Sequence, residues 1–246
     1  MARRHNPLFG AALYGLALGF VFHFVSIVER GMLIERIPLD NFFETCSAAA
    51  FLIAGVFLFV YWRCDFSSLC IAIFPLVFML ALIGAMEVPV GPWSNASVRG
   101  AGLAVHVLLI LLGYAALLLM TLASIFYLVQ ERALKNKRPT AWFDRLPPLA
   151  TLDMLISRSM GFGFAFITLG LVTGLAWAFV ESGTKLLFEG RVGFAFVTWV
   201  AYLVMVFLRA SAGLRGRKAA WMALTVLGCS ALTWITHTGL RPLLER

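Results

Sequence analysis

Residues 100–129 read GAGLAVHVLLILLGYAALLLMTLASIFYLV, thirty residues with no Lys, Arg, Asp or Glu and a single histidine, His106. About 20 mostly apolar helical residues cross the ~30 Å hydrocarbon core of a bilayer, so this stretch is long enough to span it with turns to spare. It lacks the period-2 alternation of a barrel strand, and a span in lipid must satisfy its own backbone hydrogen bonds, which leaves the helix. Six further runs have the same character: 10–28, 41–61, 69–86, 161–180, 194–208 and 219–239. The run 194–208 is short and is expected to begin earlier.

Composition agrees. With 61% hydrophobic and 13% charged residues over 246 positions, the chain lies well outside the range of soluble domains, whose apolar share is about 45–50%. The expected fold is an all-α, polytopic membrane bundle of about seven transmembrane helices, forming one domain over 1–246. Spans one to four occupy 1–129, a basic loop 130–160, and spans five to seven 161–246. Within that loop Pro139 and Leu146-Pro147-Pro148 forbid one continuous helix. The stretch LATLDMLISRSM from Leu149 sets Leu149, Leu152, Leu155 and Ile156 against Asp153, Ser157 and Arg158, the pattern of a short interfacial helix feeding the fifth span.

Loop charge predicts orientation. With a cytoplasmic amino terminus, 13 of the 20 Lys and Arg fall inside, dominated by 130–138 (QERALKNKR) and 209–218 (RASAGLRGRK), and seven fall outside. The net charge of +8 therefore reads as topology and contact with anionic lipid, not as nucleic-acid binding. The first apolar run lacks a small-residue cleavage site before Glu29 and is expected to remain as a span. Cys46, Cys64, Cys70 and Cys229 form neither C-x-x-C nor C-x-x-C-H, which argues against thioredoxin-like chemistry and covalent c-type haem attachment. The connections 29–40, 87–99 and 181–193 are too short to fold alone, and the sequon Asn95-Ala96-Ser97 carries little weight.

In this topology His23, His106 and His237 converge on the outer face, whereas His5 lies in the amino-terminal tail. Imidazole is costly in hydrocarbon and is a common ligand for haem iron. Each histidine also has a plainer reading, as a packing residue hydrogen-bonded to a neighbouring helix. Asn41 and Glu44 pose the same choice. Asn41-Phe42-Phe43-Glu44 has capping-box spacing, with Asn41 capping and Glu44 reaching back; alternatively Glu44 orients a ligand histidine or touches a bound group.

Val105-His106-Val107 followed by Leu111-Leu112-Gly113-Tyr114-Ala115-Ala116 resembles the HV-x-x-x-LLGYAA segment of the cytochrome c assembly family, which includes CcsA, CcmC and HemX-like proteins. Asn41 to Glu44 is similar to its N-x-[YF]-E motif, and residues 146–174 resemble its LP-x-LE-x-LD segment followed by TLG-x-x-TG. Trp177-Ala178, Phe196-Val197-Thr198-Trp199 and Leu214-Arg215-Gly216-Arg217 continue the likeness along almost the whole chain. The resemblance implies non-covalent, b-type haem at the outer face of a bacterial cytoplasmic membrane. His106 would be an axial ligand, with Asn41, Glu44 and Trp177 near the group; the family's second outer histidine has no clear match here, and His237 or His23 is the candidate second ligand by its place on the same face. It further implies no turnover of the chain's own, and as partners membrane lipid with a second assembly subunit or an apocytochrome c.

Two departures qualify that expectation. Between Trp177 and Trp199 the family's tryptophan-rich WG-x-x-W-x-WD-x-K signature is replaced by residues 181–191, ESGTKLLFEGR, with Phe188 the lone aromatic. The family's transmembrane histidine before the cytoplasmic arginine falls on Phe207. Two other readings therefore stand beside the first: a HemX-like accessory protein that regulates or anchors a haem-biosynthesis enzyme, and a structural or electron-transfer subunit of a membrane redox complex.

Overall fold

The computed structural model describes residues 7–64, 66–86, 100–136, 146–182, 190–214 and 216–238. They form seven α-helices: α1 (Pro7–Leu33), α2 (Phe42–Cys64), α3 (Cys70–Ala85), α4 (Ala101–Lys135), α5 (Leu149–Ser182), α6 (Gly190–Ser211) and α7 (Arg217–Thr238), with a 3-10 turn at Ser67–Leu69 before α3. Six of them, α1 to α6, are long and apolar enough to cross a membrane within the described residues. The protein is a multi-pass, all-helical membrane protein. At about 1.5 Å per residue the 22 residues of α7 have the length of a span as well. The connection 87–99 with its sequon, residues 137–145 of the basic loop, residues 183–189 including Phe188, and the tail beyond 238 lie outside the described residues.

The chain divides into two compact units, Met1–Trp93 and Ser94–Arg246. In the first, aromatic side chains join the helices: Phe20 of α1 stacks on Phe51 of α2 at 4.4 Å, and Phe57 of α2 meets Phe74 of α3 edge-on at 5.7 Å. Phe57 and Ile73 are fully buried. Along α1, by contrast, Tyr14, Leu18, Phe22 and Val25 are exposed, as suits a helix whose outer surface meets lipid rather than water.

In the second unit α4 and α5 run antiparallel in close contact, and small residues set their spacing. Ile167 packs over Gly113, Ile110 over Gly170, and His106 over Gly174, so each contact moves one turn along α4 as it moves back one turn along α5. Small residues at a membrane helix interface let backbones approach closely, which substitutes for a hydrophobic driving force that lipid does not provide. Tyr202 and Met205 of α6 and Ala220 and Ala223 of α7 complete the core.

The expected short interfacial helix is not a separate element here. Leu149–Ser182 is one 34-residue helix, because nothing after Pro148 interrupts its backbone hydrogen bonds and its polar turn has a partner. Arg209 near the end of α6, its side chain 9% exposed, donates to Asp153 Oδ2 at 3.0 Å, to the Asp153 carbonyl at 3.2 Å and to Ser157 Oγ at 3.2 Å. The turn after α6 passes through Gly213 at φ +59°, a left-handed conformation that glycine adopts without a Cβ penalty. The Leu214 carbonyl then accepts a longer bond, 3.4 Å, from the same guanidinium. The sixth helix begins earlier than 194, at Gly190, and its candidate span at Val192.

Candidate functional site

His106 sits in the second turn of α4 and is half-buried against α5. Its Nδ1 lies 2.7 Å from the Gly170 carbonyl oxygen. A carbonyl only accepts, so Nδ1 carries the proton and donates; a neutral imidazole then presents Nε2 as a lone pair. No hydrogen bond among the described residues engages Nε2. Gly174 makes room for the ring: a Cβ there would stand 2.6 Å from Nδ1 and 3.2 Å from Nε2, closer than van der Waals contact allows. Trp177 is half-buried on α5, and helix periodicity puts it on the face that carries Gly170 and Gly174, about one turn farther along.

His237 lies in the last turn of α7 by its backbone; its side chain is outside the described residues. One turn earlier, Thr233 Oγ1 bonds Thr198 Oγ1 at 2.7 Å and donates to the Phe194 carbonyl at 3.1 Å, tying this end of α7 to α6.

The first unit holds a different arrangement. α1 ends in a Schellman-type reversal, with Glu35 at φ 52° and the Arg36 amide donating to the Gly31 carbonyl at 3.2 Å. The reversal brings Arg36 to the start of α2. Its Nη1 and Nη2 donate to Glu44 Oε2 and Oε1, both at 2.8 Å, in the two-pronged geometry that guanidinium and carboxylate favour. Glu44 Oε2 also accepts the Asp40 amide at 2.8 Å, and Arg30 Nε stands 4.0 Å from Oε1. Asn41 Oδ1 accepts the Glu44 amide at 2.8 Å, and Thr45 Oγ1 donates to the Asn41 carbonyl at 2.7 Å. The reciprocal cap expected from the sequence is therefore present, with Glu44 reaching back to Asp40 rather than to Asn41. The Glu44 side chain is 2% exposed. Its hydrogen bonds, opposed by burial and reinforced by the charges of Glu44 and Asp40, raise the Arg36 guanidinium above its ordinary pKa.

Ser47 lies three residues beyond Glu44 on α2 and bonds His23 Nε2 at 2.8 Å. The imidazole also meets Phe51 edge-on at 6.0 Å, and Ser47 rests on Gly84 of α3. This is the packing arrangement of a membrane histidine, with one ring nitrogen occupied by a neighbouring helix.

Sequence reasoning singled out Asn41 and Glu44 but missed Arg36, Ser47 and the glycines beneath His106. A signal for Arg36 existed in the two arginines, Arg30 and Arg36, followed by two carboxylates, Asp40 and Glu44, around one short connection. Among the described residues no three His, Cys, Asp or Glu side chains gather as a metal cage. Among the described side chains of the second unit the metal-ligand candidate is His106, an imidazole whose proton is fixed on Nδ1.

Residues 11–242 match the sequence profile of a family described as Cytochrome C assembly protein. The chain is similar to the cytochrome c biogenesis protein CcsA of Heterosigma akashiwo, 23% identical over 220 residues, covering 75% of this chain and 68% of that protein. It is similar to CcsA of Guillardia theta at 23% over 221 residues, 82% and 72% of the two chains. Against CcsA of Prochlorococcus marinus (strain AS9601) it is 32% identical over 150 residues, 52% and 48% of the two chains.

Proposed function

Because the chain belongs to the cytochrome c assembly protein family, we propose that it holds non-covalent haem at the outer face of a bacterial cytoplasmic membrane, with His106 as an axial ligand, for transfer to an apocytochrome c or a second assembly subunit. The observation that carries this reading is the His106 imidazole, whose Nδ1 bonds Gly170 at 2.7 Å and whose Nε2 is free among the described residues. A ligating histidine typically donates its other ring N–H to a carbonyl or carboxylate, which fixes the tautomer and raises ligand basicity. The donor set here fits a haem iron in that respect.

His237, on α7, is the second-ligand candidate. His23 is a weaker one, since Ser47 already occupies its Nε2. Trp177 is suited to lie against the porphyrin, being on the same α5 face as the His106 glycines. When bound, haem supplies the iron and the porphyrin; the chain's own residues hold the imidazole, fix its proton and exclude water with the apolar α4 and α5 faces. The HemX-like reading is favoured by one observation, the loss of the tryptophan-rich signature over 181–191. It predicts that a soluble haem-biosynthesis enzyme co-purifies through residues 130–145.

The test is the absorption spectrum of the detergent-purified protein from haem-replete cells, oxidised and reduced. A low-spin haem spectrum at near-stoichiometric intensity is expected, and a colourless preparation overturns the haem reading.

Orientation belongs to the same proposal. The 13-to-7 division of Lys and Arg supports an inner amino terminus and an outer carboxyl terminus. In a cysteine-free background, single cysteines within 87–99 should react with an impermeant reagent in intact cells. Those within 130–138 should react only after permeabilisation. The reverse pattern would turn the His106 end to the inner face.

A further inference from the structure

We propose that the segment Thr168 to Gly174, TLGLVTG, is the seat that sets the proton of His106, with Gly170 and Gly174 as positioning residues. The inference deepens the haem reading in its use, but the seat itself is testable without haem.

An isolated neutral imidazole exchanges its proton between Nδ1 and Nε2. Here the Gly170 carbonyl, 2.7 Å from Nδ1, accepts from a protonated Nδ1 and repels an unprotonated one. The tautomer with Nε2 free is thereby selected. In a low-dielectric bundle the alternative would bring two lone pairs together, which is why selection by one carbonyl is strong. Thr173 Oγ1 shares its one proton between the Leu169 carbonyl at 2.9 Å and the Gly170 carbonyl at 3.0 Å, a second contact on the oxygen that faces His106.

Gly174 supplies the space. The ring occupies the volume a Cβ would take, with Nδ1 2.6 Å from that position. An alanine must push the ring away from α5, and the bond to Gly170 cannot survive the displacement. The spacing of the two glycines is one helical turn, so the carbonyl of the first and the gap of the second face the same side chain.

Gly113 provides the control. It too is a close-contact glycine between α4 and α5, but it meets Ile167 and no histidine; a Cβ on Gly113 would stand 3.3 Å from the Ile167 amide nitrogen. If the glycines serve packing alone, Gly113→Ala and Gly174→Ala should behave alike.

The experiment is 15N NMR of haem-free, 15N-histidine-labelled protein in lipid nanodiscs, with the His106 signals identified by their loss in His106→Gln. The wild type should show a protonated Nδ1 and an unprotonated Nε2. Gly174→Ala should lose that signature, whereas Gly113→Ala should keep it while lowering thermal stability. A wild-type His106 protonated at Nε2, or a Gly174→Ala spectrum identical to wild type, overturns the seat. The wild-type measurement decides the matter even if Gly174→Ala does not fold. A protein that purifies colourless yet shows the Nδ1–H tautomer supports the seat and removes the haem reading, so the two failures are distinguishable.

Discussion

His106→Ala is expected to abolish the low-spin haem absorption of the purified protein. Outer partners of a metal ligand alone are worth 10–100-fold in affinity, so deletion of the ligand should lower haem retention by at least about 100-fold on the same scale. The fold should survive, because the Gly170 carbonyl keeps its Thr173 partner at 3.0 Å and its place in the α5 hydrogen-bond ladder. Near-normal yield and thermal stability would establish that the spectrum was lost through the ligand and not through unfolding. His237→Ala should convert the spectrum to a five-coordinate or weakened form. His23→Ala should change it less, since the His23 bond to Ser47 is a packing contact inside the first unit. A His106→Ala protein that keeps the wild-type spectrum would remove His106 from the site and give precedence to the accessory or structural readings.

Glu44→Ala is expected to cost about 3 kcal/mol of stability, the lower end of what breaking one partner of a buried ion pair costs. Arg36 retains some contact with solvent, its side chain being 24% exposed, which is why the lower end applies. The loss has two parts, the two-pronged Arg36 bonds and the acceptor for the Asp40 amide; the backbone amide that Asn41 caps is kept in alanine. For a chain of this size such a loss corresponds to a melting-temperature decrease of about 6–12 °C. Arg36→Ala should cost a similar amount, and the double variant should cost little more than either alone, because both remove the same interaction. Glu44→Gln keeps an acceptor for Asp40 but not the charge, and should fall between. In all of these the haem spectrum of correctly folded protein should match the wild type. An altered spectrum with unchanged melting temperature would instead make Glu44 a contact of the bound group.

What could be read from the linear chain follows from the range over which each signal acts. Hydropathy over a window of about 20 residues is a local property that lipid converts directly into a helix, so the helical class and the spans α1 to α6 were legible, whereas the start of α5 was not. The cap at Asn41 and Glu44 was legible for the same reason, since all its members but Arg36 lie within five residues.

The remainder depended on contacts between distant segments. Whether 149–160 formed its own helix was ambiguous in an amphipathic pattern; Arg209, more than fifty residues away, holds Asp153 and Ser157 within one continuous α5. The membrane cost of a histidine could not rank three that fell near one face, yet Ser47 occupies Nε2 of His23 while Gly170 takes Nδ1 of His106 and leaves its Nε2 free among the described residues. The sequence by itself determined that this chain is a helical membrane protein of the cytochrome c assembly type. Only the tertiary structure decided which nitrogen of His23 and of His106 is available, because that choice is made by a hydrogen bond across a helix interface, and the glycines beneath His106 have no side chain to announce their role.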